Sequence, residues 1–414
     1  MKLRQLQRTL VRHLTMRDYR AYERLLKHVQ ARGDVWMTSQ GTYMAWWQER
    51  GKSTLRVTVS DGVCRAESSL KNAAVEKFPG EFVPAGMVRC DGASFSGEVW
   101  LTIDSALEER ELLIELLKQE GILNFRVARD GEFFLSRQEV APLLTTIDAK
   151  LRERSRLFEA DISLIRQLIV DKLAARGLPL PRIWYHPVIA GKVVQAVLSP
   201  RYDVDRAITN VARVRRLEQR YGVTSTLYLR AFCPFYSDRD IRALARSAWV
   251  TEIGLHGEFV RNAGRYGDEL AAARAEKEQL ERLIGRPVAG LCMHGGELTL
   301  NVSENTLGAI EQAGFLYDTT SGMGYYLPYR PIVSGRMGNC YRLNHAFGDI
   351  KVSPGRNYAR EFYEQATEQM DRVYKQNGVF VLTLHPVYFG VFSYLLHPRN
   401  IGRLARFFWD RVRR

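Results

Sequence analysis

Val193-Val-Gln-Ala-Val-Leu-Ser-Pro-Arg-Tyr-Asp203-Val-Asp205 is the stretch on which the reading of this chain turns. An apolar run of strand length, Val193 to Ser199, leads straight into two aspartates two residues apart. Outward from it the pattern recurs. Thr226-Leu-Tyr-Leu-Arg230, Thr251-Glu-Ile-Gly-Leu255, Ala289-Gly-Leu-Cys292 and Val379-Phe-Val-Leu-Thr-Leu384 read as further strands. Between them, Ala207 to Tyr221 and Asp268 to Ile284 carry apolar residues at helical spacing. Repeated strand–helix alternation over residues 183–414 predicts an α/β fold with a parallel sheet, open or closed into a barrel.

In such folds, sites are built where strands end at their carboxyl side. Four strand exits carry polar, metal-ligating residue types. After the first come Asp203 and Asp205, a pair in which one carboxylate can bind a metal while the other accepts a proton from water. The bland alternative is that Asp205 caps the helix starting near Arg206. The second exit is Glu252-Ile-Gly-Leu-His256-Gly, the third Gly290-Leu-Cys-Met-His294-Gly-Gly, the fourth Leu382-Thr-Leu-His385-Pro. Imidazole is the commonest neutral metal ligand, and glycine lets a ligand approach the backbone. Any one of these histidines is more often an ordinary turn residue. Three of them, with the aspartate pair, at four strand exits of one strand–helix array make a site the better reading.

The order Asp-x-Asp, Glu-x-Gly-x-His, a strand-end His before Gly, Tyr317-Asp318 and Leu-x-Leu-His-Pro resembles the polysaccharide deacetylase superfamily, of the carbohydrate esterase family 4 type. The likeness covers residues 190 to 390 and includes the Ala275–Gly285 helix and Ala313-Gly-Phe-Leu-Tyr317-Asp318. It implies a distorted (β/α)7-type barrel with an N-terminal α+β extension, and a divalent metal, usually zinc. It implies Asp203 as general base, Asp205 and His256 as metal ligands, and His385 as the acid that protonates the leaving amine. The usual second histidine of His-x-x-x-His falls on Val260, which cannot bind metal. A divergent branch, of the surface-polysaccharide and O-antigen type, resembles this chain more closely and implies His294 as third ligand. The usual arginine near the third motif is missing, with Cys292 nearby; Arg201 and Arg330 are the candidates to orient Asp203. Asp318 is expected to tune His385 or bind substrate, with Tyr325, Tyr326 and Arg330 as substrate-binding candidates. Tyrosines after a Ser-Gly-Met-Gly segment can stack on a sugar ring, although packing is their more frequent fate.

The expected activity is removal of N-acetyl groups from an N-acetylhexosamine unit of a surface glycan or lipid-linked precursor. The alternative is a catalytically degenerate, sugar-binding or scaffold barrel. A glycosidase would want two carboxylates flanking the bond, and the Asp203/Asp205 pair is too close in sequence for that.

Ahead of this region lie residues 1–54 and 55–175. Residues 1 to 31 read as a basic amphipathic helix, Val35 to Thr38 as a strand, and Tyr43 to Gln48 as a Trp-rich helix. This order resembles the closing segment of another deacetylase barrel. It could be the remnant of an upstream domain, a permuted piece of the C-terminal barrel, or an unrelated cap. The remnant reading predicts exposed apolar surface around Trp36, Trp46 and Trp47, and a partner chain to cover it. From Leu55 to Ile103 the period is two, a small β region. A helix is expected over 106–120, a hairpin joining Phe125–Val127 to Phe133–Leu135, then a long charged helix from Arg137 to Ala174. Gly177-Leu-Pro-Leu-Pro-Arg reads as a linker.

The composition is that of an ordinary globular protein: 414 residues, 46% hydrophobic, 26% charged. No apolar run reaches the roughly 18–20 residues of a membrane span. The N-terminus lacks a secretory signal's apolar core. Five scattered cysteines without CxxC spacing argue against a disulfide framework and point to a reducing cytoplasm. A formal charge of +14 suits anionic partners and peripheral association with the inner membrane surface. No nucleic-acid signature is found.

Overall fold

The apolar runs become the strands of one sheet in a computed structural model of the chain. It describes residues 18–389 apart from 62, 78–80, 85–87, 90–96, 105–109, 133–134, 143–170, 172–180, 207, 296–299, 301, 321–324, 334–335 and 353–356. Ala196–Val204, Thr226–Leu229, Glu252–Gly257, Gly290–Met293 and Tyr317–Asp318 pair in that order, all parallel. Val379–Leu384 adds on the other side of Ala196–Val204. The two edges of this row are Tyr341–Arg342 and His345–Gly348, both parallel to their neighbours. These are consecutive pieces of one segment, so the row returns on itself as a ring of seven strands. The expected α/β architecture of a distorted (β/α)7 barrel is what the sheet and its surrounding helices form.

Strand alternation sorts the side chains. On Ala196–Val204, residues Ala196, Leu198, Tyr202 and Val204 face the helices and join the larger apolar core. Val197 falls in the second core, which fills the lower ring together with Tyr228, Tyr317, Val379 and Val381. Ser199, Arg201 and Asp203 share the parity of Val197. By the same count Gly254 and His256, Cys292 and His294, and Thr383 and His385 share the inner face. Gly254 and Gly290 lie against the rings of Tyr228 and Tyr317, where a Cβ would collide. Two tyrosines thus occupy the lower interior because two glycines leave them room.

Two strands run further than their apolar runs. Asp203 lies inside a strand that extends to Val204, held in register against Thr226–Leu229. His256 likewise lies inside Glu252–Gly257, opposite Cys292. Ladder pairing carries the polar ends into the sheet where apolar periodicity has stopped.

The N-terminal segment belongs to this barrel. Val35–Met37 pairs in parallel with Ala196–Leu198, below the point where Thr226–Leu229 takes over the same edge. The helix Asp18–Arg32 buries Tyr22, Leu25, Leu26 and Val29 in the outer core. Each such side chain stabilises docking by about 1.5–3 kcal/mol. The helix Gln40–Lys52, capped by Ser39, closes the ring's amino-terminal end. Trp47 is buried against Tyr185 at 6.3 Å, Trp46 donates to Tyr185 O, and Trp36 packs edge-on to Tyr43. None of these three tryptophans is exposed: Trp47 is buried, and Trp36 and Trp46 are half-buried.

The described strands between residues 55 and 98 form short antiparallel ladders, with Leu55–Ser60 against Val63–Ser68. Arg182–Ile189, just past the expected linker, pairs with Ala73–Lys77. Arg182 anchors that pairing through Glu76 at 2.5 Å and Glu120 at 2.7 Å. Of the expected hairpin about Asp130-Gly131, Phe125–Val127 pairs in parallel with Leu101–Ile103, and Leu135 bridges in parallel to Ile103, so these two flank a third strand instead of pairing with each other; residues 133–134 lie outside the described residues. Most of the expected 137–174 helix and the linker lie outside the described residues. Cys233, Cys292 and Cys340 are free, as expected, but Cys64 is disulfide-bonded, which the scattered spacing had argued against. Among the described residues, no helix is long and apolar enough to cross a membrane.

Candidate metal centre

Inward parity brings Asp205, His256 and His294 together above the Arg201–Asp203 pair. His256 Nε2 lies 3.1 Å from Asp205 Oδ1, and His294 Nε2 lies 3.3 Å from the same oxygen. The two imidazole rings are 5.0 Å apart. Each ring has an acceptor at its other nitrogen: the Cys292 carbonyl 3.0 Å from His256 Nδ1, and Glu258 Oε1 3.0 Å from His294 Nδ1. Neutral imidazoles that donate through Nδ1 aim two Nε2 lone pairs at one carboxylate oxygen. That arrangement is repulsive until a cation sits among the three. Nitrogen and oxygen donors of this kind fit a divalent ion of the zinc class, and the outer acceptors are what orients metal-binding histidines.

Asp203, His256 and Cys292 also lie close enough to share an ion. The chemistry disfavours that set. Arg201 already pairs with Asp203 at 3.1 Å, putting a fixed positive charge where the ion would go. Burial pushes the Cys292 thiol well above its ordinary pKa, so it stays a poor ligand.

Arg201, not Arg330, orients Asp203. Its guanidinium is fastened to the Thr319 carbonyl and donates to Asp203 Oδ2. Burial alone would raise the Asp203 carboxyl; Arg201, then His256 and His385, outweigh it and hold it below the usual range. Burial likewise opposes ionisation of Asp205, and His256, with His385 and His294, reverses it.

His385 follows the Val379–Leu384 strand, and its partner is Asp349. Asp349, fully buried, accepts from the His385 backbone N–H at 2.5 Å and lies 2.6 Å from Nδ1. Burial disfavours the charged ring, but Asp349, aided by Asp203 and Asp205, raises its pKa to about 10. Asp349 escaped the sequence reading because its strand, His345–Gly348, is only four residues long. Its one signal was an aspartate directly after a strand-ending glycine.

The remaining expectations are corrected by packing. Asp318 pairs with Arg342 at 2.7 Å and accepts from the Thr320 N–H at 2.9 Å. It is an internal anchor, and the place beside His385 belongs to Asp349. Tyr325 and Tyr326 are buried at the opposite end. Tyr325 O accepts from Asn344, and Tyr326 O from Val379 N at the start of the strand that His385 ends. Neither offers a ring face to a sugar. Arg330 pairs with Glu115 at 2.9 Å and lines a cavity with Trp47 and Tyr341, away from the centre. Val260 packs partly buried against the outer core and contributes no ligand.

Fold and site together give a parallel α/β barrel that carries a candidate metal-binding group of two histidines and an aspartate, with Asp203 and His385 beside it, at the carboxyl ends of its strands. No protein-family model matches the sequence, and no curated protein matches it. Among solved structures, a polysaccharide deacetylase from Mycobacterium smegmatis is similar at 18% identity and TM-score 0.38, over 52% of this chain and 83% of that one. An allantoinase is similar at 16% identity and TM-score 0.36, over 53% and 84%. A polysaccharide deacetylase of O-antigen biosynthesis from Bordetella bronchiseptica is similar at 17% identity and TM-score 0.31, over 46% and 71%. At such scores likeness carries no weight for function, which rests instead on the side chains of the centre.

Proposed function

We propose that this chain is a metal-dependent hydrolase that removes the acetyl group from an N-acetylhexosamine unit of a glycan or of its lipid-linked precursor. The observation that carries the proposal is the convergence of His256 Nε2, His294 Nε2 and Asp205 Oδ1, with a proton acceptor and a proton donor beside it. Asp205, His256 and His294 would hold a divalent ion, zinc by donor type. When bound, such an ion polarises the acetyl carbonyl and lowers the pKa of water.

The chain's own residues supply the proton traffic. Asp203, kept ionised by Arg201, takes a proton from the attacking water. His385, kept protonated by Asp349, gives one to the departing nitrogen, which would otherwise leave as an unstable amide anion. The two roles need opposite charge states at one pH, and the two neighbours, a guanidinium and a carboxylate, impose them. Asp203 and His385 come from adjacent strands, Ala196–Val204 and Val379–Leu384, so the pair brackets one small reacting group.

The test is metal content of the purified protein, wild type against His294→Ala, with acetate release from N-acetylglucosamine oligomers assayed alongside. About one zinc per chain, largely lost in the variant together with acetate release, is expected from a three-ligand site. Wild type without metal after zinc is supplied would overturn the proposal in favour of a sugar-binding barrel.

A further inference from the structure

His294 reaches the centre with two charged neighbours at one ring nitrogen. Glu258 Oε1 lies 3.0 Å from Nδ1, and Arg261 Nη1 lies 3.3 Å from it. The neighbours demand opposite tautomers. A guanidinium only donates, so pairing with Arg261 needs a lone pair on Nδ1 and leaves the proton on Nε2, aimed at Asp205. Such a ring cannot bind a cation through Nε2. A carboxylate accepts, so pairing with Glu258 puts the proton on Nδ1 and frees Nε2.

We propose that Glu258 is the positioning residue that sets the His294 tautomer and thereby completes the ligand trio, an inference that rests on the metal reading above. Glu258 is held for this task. Arg230 grips its other oxygen with two N–H groups, at 2.5 and 3.1 Å. Its backbone N–H donates to Glu276 Oε2 at 2.8 Å, and Glu276, buried, also accepts from Asn262 at 2.7 Å. Arg261 is the more exposed party: its side chain is 43% exposed and lies 3.8 Å from Glu258 Oε1. The residues after the His256 strand therefore contribute an orienting carboxylate at 258 rather than a ligand at 260. Rigid outer support of this sort governs affinity without touching the ion.

The experiment is zinc affinity of the full chain, measured by competition with a chromogenic chelator. Loss of an outer partner weakens metal binding about 10–100-fold, and that is the expected result for E258A. E258Q keeps the shape and guards against a folding failure. It weakens binding too, because an amide offers one acceptor where Arg230 and His294 Nδ1–H call for two. R261A leaves affinity unchanged. Nitrogen-15 spectra of the metal-free protein, at a pH where the ring is neutral, place the His294 proton on Nδ1 in wild type and on Nε2 in E258Q. Wild type that binds zinc with E258A and E258Q unchanged overturns this inference alone. R261A as weak as E258Q overturns it as well, by assigning the tautomer to Arg261. Wild type that binds no zinc overturns it together with the function proposed above.

Discussion

The two ends of the barrel hold carboxylates in opposite circumstances. At the amino-terminal end, Glu252 accepts from Gly41 N at 2.7 Å, Thr226 Oγ1 at 2.6 Å and Tyr317 OH at 2.5 Å. Gln40 completes the plug by donating through its backbone to Thr226 and meeting the Tyr228 hydroxyl. Every donor there is neutral, and the acceptor is saturated. At the other end Asp205 faces two imidazole Nε2 atoms, Asp203 leans chiefly on Arg201, and His385 leans chiefly on Asp349. The first arrangement is complete as it stands. The second, on the function proposed above, is completed by an ion. Burial alone marks neither as functional; the difference is whether lone pairs meet donors or one another.

Breaking the comparison at the open end should cost activity. Asp349→Asn removes the charge that keeps His385 protonated, and kcat should fall about 10²–10⁴-fold, the worth of a positioned acid. KM and the melting temperature should move little. Steady-state kinetics decides it: a change confined to KM would mean that His385 does not donate the proton.

Breaking it at the closed end should cost stability instead. Glu252→Ala strands three donors, each costing about 1–3 kcal/mol when buried unpaired. A loss of about 3–5 kcal/mol in urea unfolding is expected, with zinc content of the folded fraction unchanged. Metal lost in proportion would show that the two ends are one cooperative unit.

A third carboxylate sharpens the contrast through pH. Glu218 accepts from the hydroxyls of Tyr22, Tyr202 and Ser225. Burial outweighs these donors and raises its pKa from 4.5 to about 7. The folded state then holds the proton longer than the unfolded one. The stability this lends is full below pH 4.5 and is lost as pH rises through 7. The span corresponds to about 3 kcal/mol, and Glu218→Gln should flatten that part of the curve relative to wild type. A wild-type and variant difference independent of pH from about 4 to 8 would contradict the assignment.

Much of this was legible in the sequence. Apolar runs found the strands, and Asp203, Asp205, His256, His294 and His385 announced themselves as polar residues on one parity at their ends. Arg201 was one of two arginines the sequence offered for Asp203, and its place two residues away on the same strand decided between them. Asp349 and Glu258 did not announce themselves, because each acts on a residue brought near by pairing or by a following turn, and no local pattern records such an encounter. Asp318 failed for the converse reason. An aspartate at a strand exit looks the same whether it faces a substrate or, as here, Arg342 from a neighbouring strand. The tyrosine pair was misread because flanking glycines suggest an open loop, while both tyrosines are buried and their backbone carbonyls are held by Asn344 and Val379 further along the chain.

The placement of Val35–Met37 beside Ala196–Leu198 has a consequence for synthesis. The strand leaves the ribosome roughly 160 residues before the edge it pairs with exists. Closing so long a loop is cheap in free energy but slow in time. Until then its tryptophans and the apolar face of Asp18–Arg32 have no partner, which is the circumstance in which chaperones are recruited. A C-terminal fragment cut at the apparent linker would be born without that strand and would keep an open seam for the whole of its life.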